Sequence, residues 1–107
     1  MPKYLFVYHG GKTPESPEEG EAALKAWGAW FEELGPATVD AGNPVMGSHT
    51  VSAEGHVADG GPNPASGYGI FAFDDYAAAC AAAAKNPMLH DGSGATVEVA
   101  EIHEIPM

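Results

Sequence analysis

Apolar residues follow two patterns along the 107-residue chain, short continuous runs typical of buried strands and a spacing typical of helices. Together the two patterns predict an α+β fold. Residues 3–9 (KYLFVYH) and 67–73 (GYGIFAF) are short runs rich in aromatic and branched residues, which is typical of buried strands. Residues 37–40 and 96–105 contain more polar positions and are predicted to be strands as well. The pattern therefore predicts four main strands.

A helical period separates the first two strands. Ser16 can cap a first helical turn, Pro17 suits the first helical position, and Gly35 followed by proline ends the helix. The apolar positions between them lie on one helical face: Ala23, Leu24, Trp27, Trp30, Phe31 and Leu34. A second helix is predicted after Asp74 and Asp75, because residues 76–85 are dominated by alanine.

The order β-α-β-β-α-β predicts a ferredoxin-like sandwich in one domain over residues 1–107. In that fold, two helices cover one face of a four-stranded antiparallel sheet. The first and third strands are expected in the middle, because both are apolar on two faces. Residues 46–66 interrupt the order, and they are predicted to carry an extra small hairpin around Glu54 and Gly55.

This arrangement leaves one sheet face without a cover. About four large side chains would point away from the helices, and burying each is worth about 1.5–3 kcal/mol. Monomers seldom expose such a patch. We therefore expect a homodimer in which a second copy covers the open sheet face, forming a dimeric α/β barrel with a cleft for a small-molecule ligand.

Charge and composition exclude several partners. The formal net charge is −11, from 15 acidic residues and only four lysines. Such a surface repels nucleic acid and anionic membranes, so neither is expected as a partner. The single cysteine permits no internal disulfide, and no apolar run approaches the length of a membrane span. A cytoplasmic protein is expected.

Histidines and one aspartate are the candidates for chemistry. Histidine titrates nearest neutrality, and a neighbouring carboxylate can orient its ring for acid–base catalysis. The candidate catalytic residues are His9, Asp40, His49 and His90. Each has a simpler interpretation, because a histidine can be an exposed loop residue and Asp40 can form a turn.

Aromatic residues near the first strand and first helix are the candidates for ligand contacts. These are Tyr8, Trp27 and Trp30, although a place in the hydrophobic core is the simpler interpretation of the two tryptophans, and either could serve both roles. No cofactor is expected, because the glycine pairs do not match a phosphate-binding loop. No metal is expected either, because no histidine pair has the helical spacing of a zinc enzyme.

Several segments, taken together, resemble a known family. They are residues 3–10 (KYLFVYHG), 29–35 (AWFEELG) with 40–42 (DAG), 57–62 (VADGGP) with 67–72 (GYGIFA), and 86–87 (NP) with 96–99 (TVEV). The chain resembles the YCII-related superfamily, and within it the DGPF-domain branch. The resemblance covers nearly the whole chain. Asn63 follows Pro62 where the branch has phenylalanine.

The resemblance implies a dimeric α+β barrel with a small-molecule cleft and a mostly unassigned activity. Some relatives carry a His–Asp pair proposed to be catalytic. Asp40 lies near the position of that aspartate, whereas residues 23–27 contain no histidine.

Two functions follow as hypotheses. The first is a cofactor-free enzyme that acts on a small organic molecule through histidine and aspartate acid–base chemistry. The second is a non-catalytic binding or regulatory module associated with transcription, because DGPF relatives are often encoded beside alternative sigma factors.

Overall fold

The computed structural model describes residues 1–106, and its elements follow the predicted order. The strands are β1 (Lys3–His9), β2 (Thr38–Asp40), β3 (Thr50–Ser52), β4 (Gly55–Val57), β5 (Ala65–Ala72) and β6 (Thr96–Glu101). The helices are α1 (Pro17–Leu34) and α2 (Tyr76–Ala83), and short 3-10 helices span Gly35–Ala37 and Pro87–His90.

Four strands form one antiparallel sheet in the order β2-β5-β1-β6. The first predicted strand (β1) and the third (β5) are central, which confirms their expected placing. The order is compatible with a ferredoxin-like fold. The predicted extra hairpin is also confirmed, because β3 and β4 pair as a separate two-stranded sheet.

Helix α1 begins where its capping residues predict. Ser16 Oγ accepts the N–H of Glu19 at 3.1 Å, and the N–H of Gly35 donates to the carbonyl of Phe31 at the other end. The Glu19 carboxylate pairs with Lys12 Nζ at 3.0 Å. This ion pair ties the loop after β1 to the first turn of the helix.

The core lies between the helices and one face of the sheet. Tyr4, Phe6 and Tyr8 alternate along β1 and point to this side, where Phe71 of β5 joins them. Both helices contribute to the same core, α1 through Trp30 and α2 through Ala79 and Ala83. The small alanines let α2 lie close to the sheet.

The two helices are also joined by a hydrogen bond. Trp30 Nε1 donates to the carbonyl oxygen of Ala82 at 3.0 Å. A buried indole N–H needs such a partner. Trp30 therefore fixes the position of α1 relative to α2 and also fills the core.

The other sheet face, which we call the open face, presents the alternate residues of β1: Lys3, Leu5, Val7 and His9. Leu5 pairs across the sheet with Ile70 and Ala100, while Val7 pairs with Tyr68 and Glu98. The apolar side chains here are half-buried, because neighbouring strands shield them.

The overall dimensions show how the molecule is layered. The Cα atoms span 43 × 38 × 19 Å, and the shortest dimension is that of one sheet and one helix layer. The radius of gyration is 15.2 Å, against about 13 Å expected for a compact domain of this length. The β3–β4 hairpin contributes to the excess, because all six of its strand residues are exposed. No helix within residues 1–106 is long and apolar enough to cross a membrane.

Candidate functional site

A histidine and a glutamate meet on the open face where β1 ends. His9 is the last residue of β1, and Glu98 lies on the neighbouring strand β6. His9 pairs with Thr96 and Glu98 pairs with Val7, so the two side chains are diagonal neighbours on one face. His9 Nε2 lies 3.0 Å from Glu98 Oε1.

The second ring nitrogen of His9 faces the backbone that leads into β5. His9 Nδ1 lies 3.1 Å from the carbonyl oxygen of Asn63 and 3.4 Å from that of Pro64. The strand register shifts between Tyr8 and His9, so that His9 pairs with Ala65, the residue that follows this segment. Only 11 % of the His9 side chain is exposed, whereas 64 % of the Glu98 side chain is exposed.

Both ring nitrogens of His9 lie within hydrogen-bond distance of an acceptor, the Asn63 carbonyl at Nδ1 and the Glu98 carboxylate at Nε2. His9 therefore serves to position Glu98, and the exposed carboxylate is the group that a bound molecule can reach.

The surroundings of the pair are apolar. Val7 lies beside Glu98 across the strand pair, and Leu5 continues the open face toward Ile70. An exposed carboxylate at the end of an apolar surface can bind a cation or take a proton from a molecule whose apolar part rests on the sheet.

Asp40 and His90 lie elsewhere and have local partners. Asp40 Oδ1 accepts the N–H of Gly42 at 2.9 Å, in the irregular part of the edge strand. His90 Nε2 lies 3.0 Å from the carbonyl oxygen of Ala84, the C-cap residue of α2. Both contacts support the backbone locally.

His49 lies on the extra hairpin. Its Nδ1 is 2.8 Å from Nε2 of His56, and both residues are exposed. Within residues 1–106, no hydrogen bond joins any two of the four predicted catalytic residues. The acid–base role predicted for each of them stays a prediction, and the structure adds Glu98 as the partner of His9.

The predicted ligand-binding aromatics lie on the opposite side of the sheet from His9. Tyr8 and Trp30 are buried in the core, and Trp27 packs against it with its ring centroid 5.2 Å from that of Tyr8. Burial raises the pKa of the Tyr8 phenol above its usual value, and the hydroxyl has no hydrogen-bond partner among the described residues. This placement agrees with the alternative interpretation of the tryptophans as core residues.

Sequence reasoning missed Glu98 and His56 as partners. Glu98 looked like an ordinary edge residue, because its neighbour His9 is 89 positions away in the sequence. The signal that would have found it is the register of β1 against β6. For His56, the signal is the turn predicted at Glu54 and Gly55. This turn places His56 across the hairpin from the residues that follow His49.

Two surface grooves lie away from this site. One, of about 250 Å³, lies between α1 and α2 beside Trp30 and Lys85, and the other, of about 270 Å³, lies beside Lys12 and Asp91. A hydrogen bond from Ser93 lowers the pKa of Asp91. Across residues 1–106, no group of three or more histidine, cysteine or acidic side chains is arranged to hold a metal ion.

Neither protein-family models nor curated proteins nor solved structures gave a match to this chain. The geometry of the site is therefore the basis for any functional conclusion.

Proposed function

We propose that this chain is a homodimeric small-molecule-binding protein whose ligand site lies on the open face beside His9 and Glu98. The observation that carries the proposal is the 3.0 Å contact between His9 Nε2 and Glu98 Oε1 at the end of an apolar sheet surface. The nearly buried ring holds an exposed carboxylate at a defined place next to Val7 and Leu5.

A second copy of the chain is the proposed cover of the open face. The charged residues presented there are Lys3 of β1, which lies 3.8 Å from Glu104, Glu98 of β6 and Asp40, which pairs with Ile70. Helix α1 on the other side carries five glutamates and one lysine. Two chains with a net charge of −11 repel each other less when the sheet faces meet than when the more acidic helix faces meet. This pairing is the dimeric α/β barrel expected from the sequence.

The charge of the site suggests the class of ligand. No arginine is available to clamp a phosphate or carboxylate, and Glu98 is an acceptor. A small organic molecule with an apolar body and an ammonium or a weakly acidic hydrogen fits this surface. In an enzyme, Glu98 is the acid–base group and His9 is the positioning residue.

A second function is supported by the way His9 is bonded. Both ring nitrogens have protein partners, so the ring itself has no free position for a substrate proton. This favours the alternative of a non-catalytic binding or regulatory module. Membership of the YCII-related superfamily is part of the same proposal, and the strand order is compatible with it.

Light scattering tests the assembly. The wild-type chain is expected to have twice its monomer mass of 11.0 kDa, and Val7→Asp on the open face is expected to be monomeric. Leu24→Asp is the control, because Leu24 is 76 % exposed on α1. A monomeric wild-type chain at micromolar concentration would refute the dimer.

Benzylamine and benzoate form a matched pair of ligand probes, since they differ in charge but share an aromatic ring. In methyl NMR spectra, benzylamine is expected to shift the signals of Leu5, Val7 and Ile70, and benzoate is not. Glu98→Gln is expected to weaken these shifts. Shifts confined to the alanines of α2, or none at all, would contradict the proposed site.

A further inference from the structure

The extra hairpin carries a pair of histidines outside the proposed ligand site. His49 precedes β3 and His56 lies in β4. Val51 pairs with His56, and His49 is two residues before Val51, so both rings project from the same face as diagonal neighbours. The two facing nitrogens, His49 Nδ1 and His56 Nε2, are 2.8 Å apart.

We propose that this pair is a bidentate site for a divalent transition metal such as Ni²⁺ or Cu²⁺. The contact between His49 Nδ1 and His56 Nε2 shows that the two imidazoles reach each other across the hairpin, so both can ligate one ion. Imidazole nitrogen suits these ions, and affinity for such ligands rises along the first-row series to Cu²⁺.

The pair must change its hydrogen bonding to bind the metal. The ring planes differ by 12° and the two nitrogens lie within hydrogen-bond distance, so one carries the proton of an N–H···N bond. Binding moves that proton to the other nitrogen of the same ring, and each facing nitrogen then donates a lone pair. No proton is released from the neutral pair and no electron is transferred. Both rings are exposed, and exposed side chains change rotamer readily, so the rings can turn until the lone pairs converge.

The surroundings of the pair favour a cation. Residues 46–60 contain no lysine or arginine and include Glu54 and Asp59. The net charge of −11 raises the local concentration of cations around the chain. This site departs from the expectation of no metal, which considered only the helical spacing of a zinc enzyme.

A bound ion would join His56 of β4 to His49, the residue that leads into β3. A two-stranded hairpin is marginally stable alone, and every residue of β3 and β4 is exposed. The metal is therefore expected to stabilise the hairpin against local opening. Solvent fills the remaining coordination positions, because only two protein ligands are available.

Titration of the untagged chain with Ni²⁺ tests the proposal, since Ni²⁺ does not oxidise the exposed Cys80. We expect one Ni²⁺ per chain, with affinity at least about tenfold weaker in His49→Ala and in His56→Ala. His90→Ala and His103→Ala are the controls and are expected to bind as the wild type does. Hydrogen exchange of residues 50–57 is expected to slow when Ni²⁺ is bound.

Equal affinity in the wild type and in both hairpin variants would overturn the proposal. So would Ni²⁺ binding that leaves hydrogen exchange of the hairpin unchanged. His56→Gln provides a second variant of similar size, and circular dichroism checks that each variant folds. The test does not depend on dimerisation or on the His9–Glu98 site.

Discussion

His9 Nε2 and Glu98 Oε1 lie 3.0 Å apart across the pairing of β1 and β6, yet their exposure differs greatly. The ring is held between Glu98 and the Asn63 carbonyl, whereas the carboxylate extends into solvent. Removing the ring should therefore disturb the structure more than neutralising the carboxylate. This difference is the basis of the first prediction.

His9→Ala is expected to lower the free energy of unfolding by about 1–3 kcal/mol, because it removes a nearly buried ring whose nitrogens contact the Asn63 carbonyl and the Glu98 carboxylate. Glu98→Gln is expected to have a smaller effect, since an exposed partner contributes little. Urea unfolding measures both. His103→Ala is the control, because its side chain is 82 % exposed. A larger effect for Glu98→Gln than for His9→Ala would contradict the prediction.

Tyr8→Phe is expected to keep or raise stability at neutral pH, by up to about 1 kcal/mol, because the buried hydroxyl has no partner among residues 1–106. Tyr76→Phe is the matched control, and it is expected to lower stability. Its hydroxyl oxygen accepts the N–H of Glu101 at 2.8 Å, so its loss is expected to cost about 1 kcal/mol. Urea unfolding of the two variants under the same conditions checks both values.

Alkaline pH gives an independent test of the same hydroxyl. Burial raises the pKa of Tyr8, so the folded state favours the neutral phenol. The resulting stability is complete below about pH 10, the ordinary tyrosine pKa, and is lost as the pH rises above it. Between neutral pH and about pH 11, the wild type should lose more stability than Tyr8→Phe. Parallel curves for the two proteins would show that Tyr8 does not contribute.

Gly42→Ala is expected to destabilise the edge of the sheet strongly. Gly42 has a φ of 76°, and a Cβ atom there would lie 1.6 Å from the backbone oxygen of Tyr68. Gly47 has a φ of 70° with no atom within 4 Å of its Cβ position, so Gly47→Ala is expected to show only the backbone penalty of about 1–3 kcal/mol. Thermal unfolding separates the two, and equal losses would argue against the close approach at Gly42.

Trp30→Phe is expected to lower stability by about 2–4 kcal/mol, because it removes buried volume and the hydrogen bond to the Ala82 carbonyl between the helices. Trp27→Phe is the comparison, since Trp27 is only half-buried. Urea unfolding is expected to rank Trp30→Phe as the more damaging change. The reverse order would place the junction between the helices at Trp27 instead.

Local patterns predicted most of the secondary structure. Ser16 and Pro17 set the start of α1, the alanines after Asp75 predicted α2, and the turn at Gly55 predicted the hairpin. Predicted strand ends were less accurate, because the last strand stops at Glu101 and not at residue 105. Strand ends depend on pairing partners, which local sequence does not specify.

The candidate site was only half predictable. His9 was identified from its place at the end of a central strand, but Glu98 and the Asn63 carbonyl are 89 and 54 positions away in the sequence. The aromatics proposed to line the same site, Tyr8 and Trp30, point to the opposite face. Adjacent strand residues such as Tyr8 and His9 always alternate in this way.

The amino-acid sequence alone determined the types and order of the helices and strands, the central position of two strands and the acidic charge, since these depend on local period and composition. Only the tertiary structure decided which side chains meet. Strand register brings His9 to Glu98, and the chain leading into β5 places the Asn63 carbonyl 3.1 Å from His9 Nδ1. Register is a property of paired strands, so contacts between distant segments appear only once the sheet is assembled.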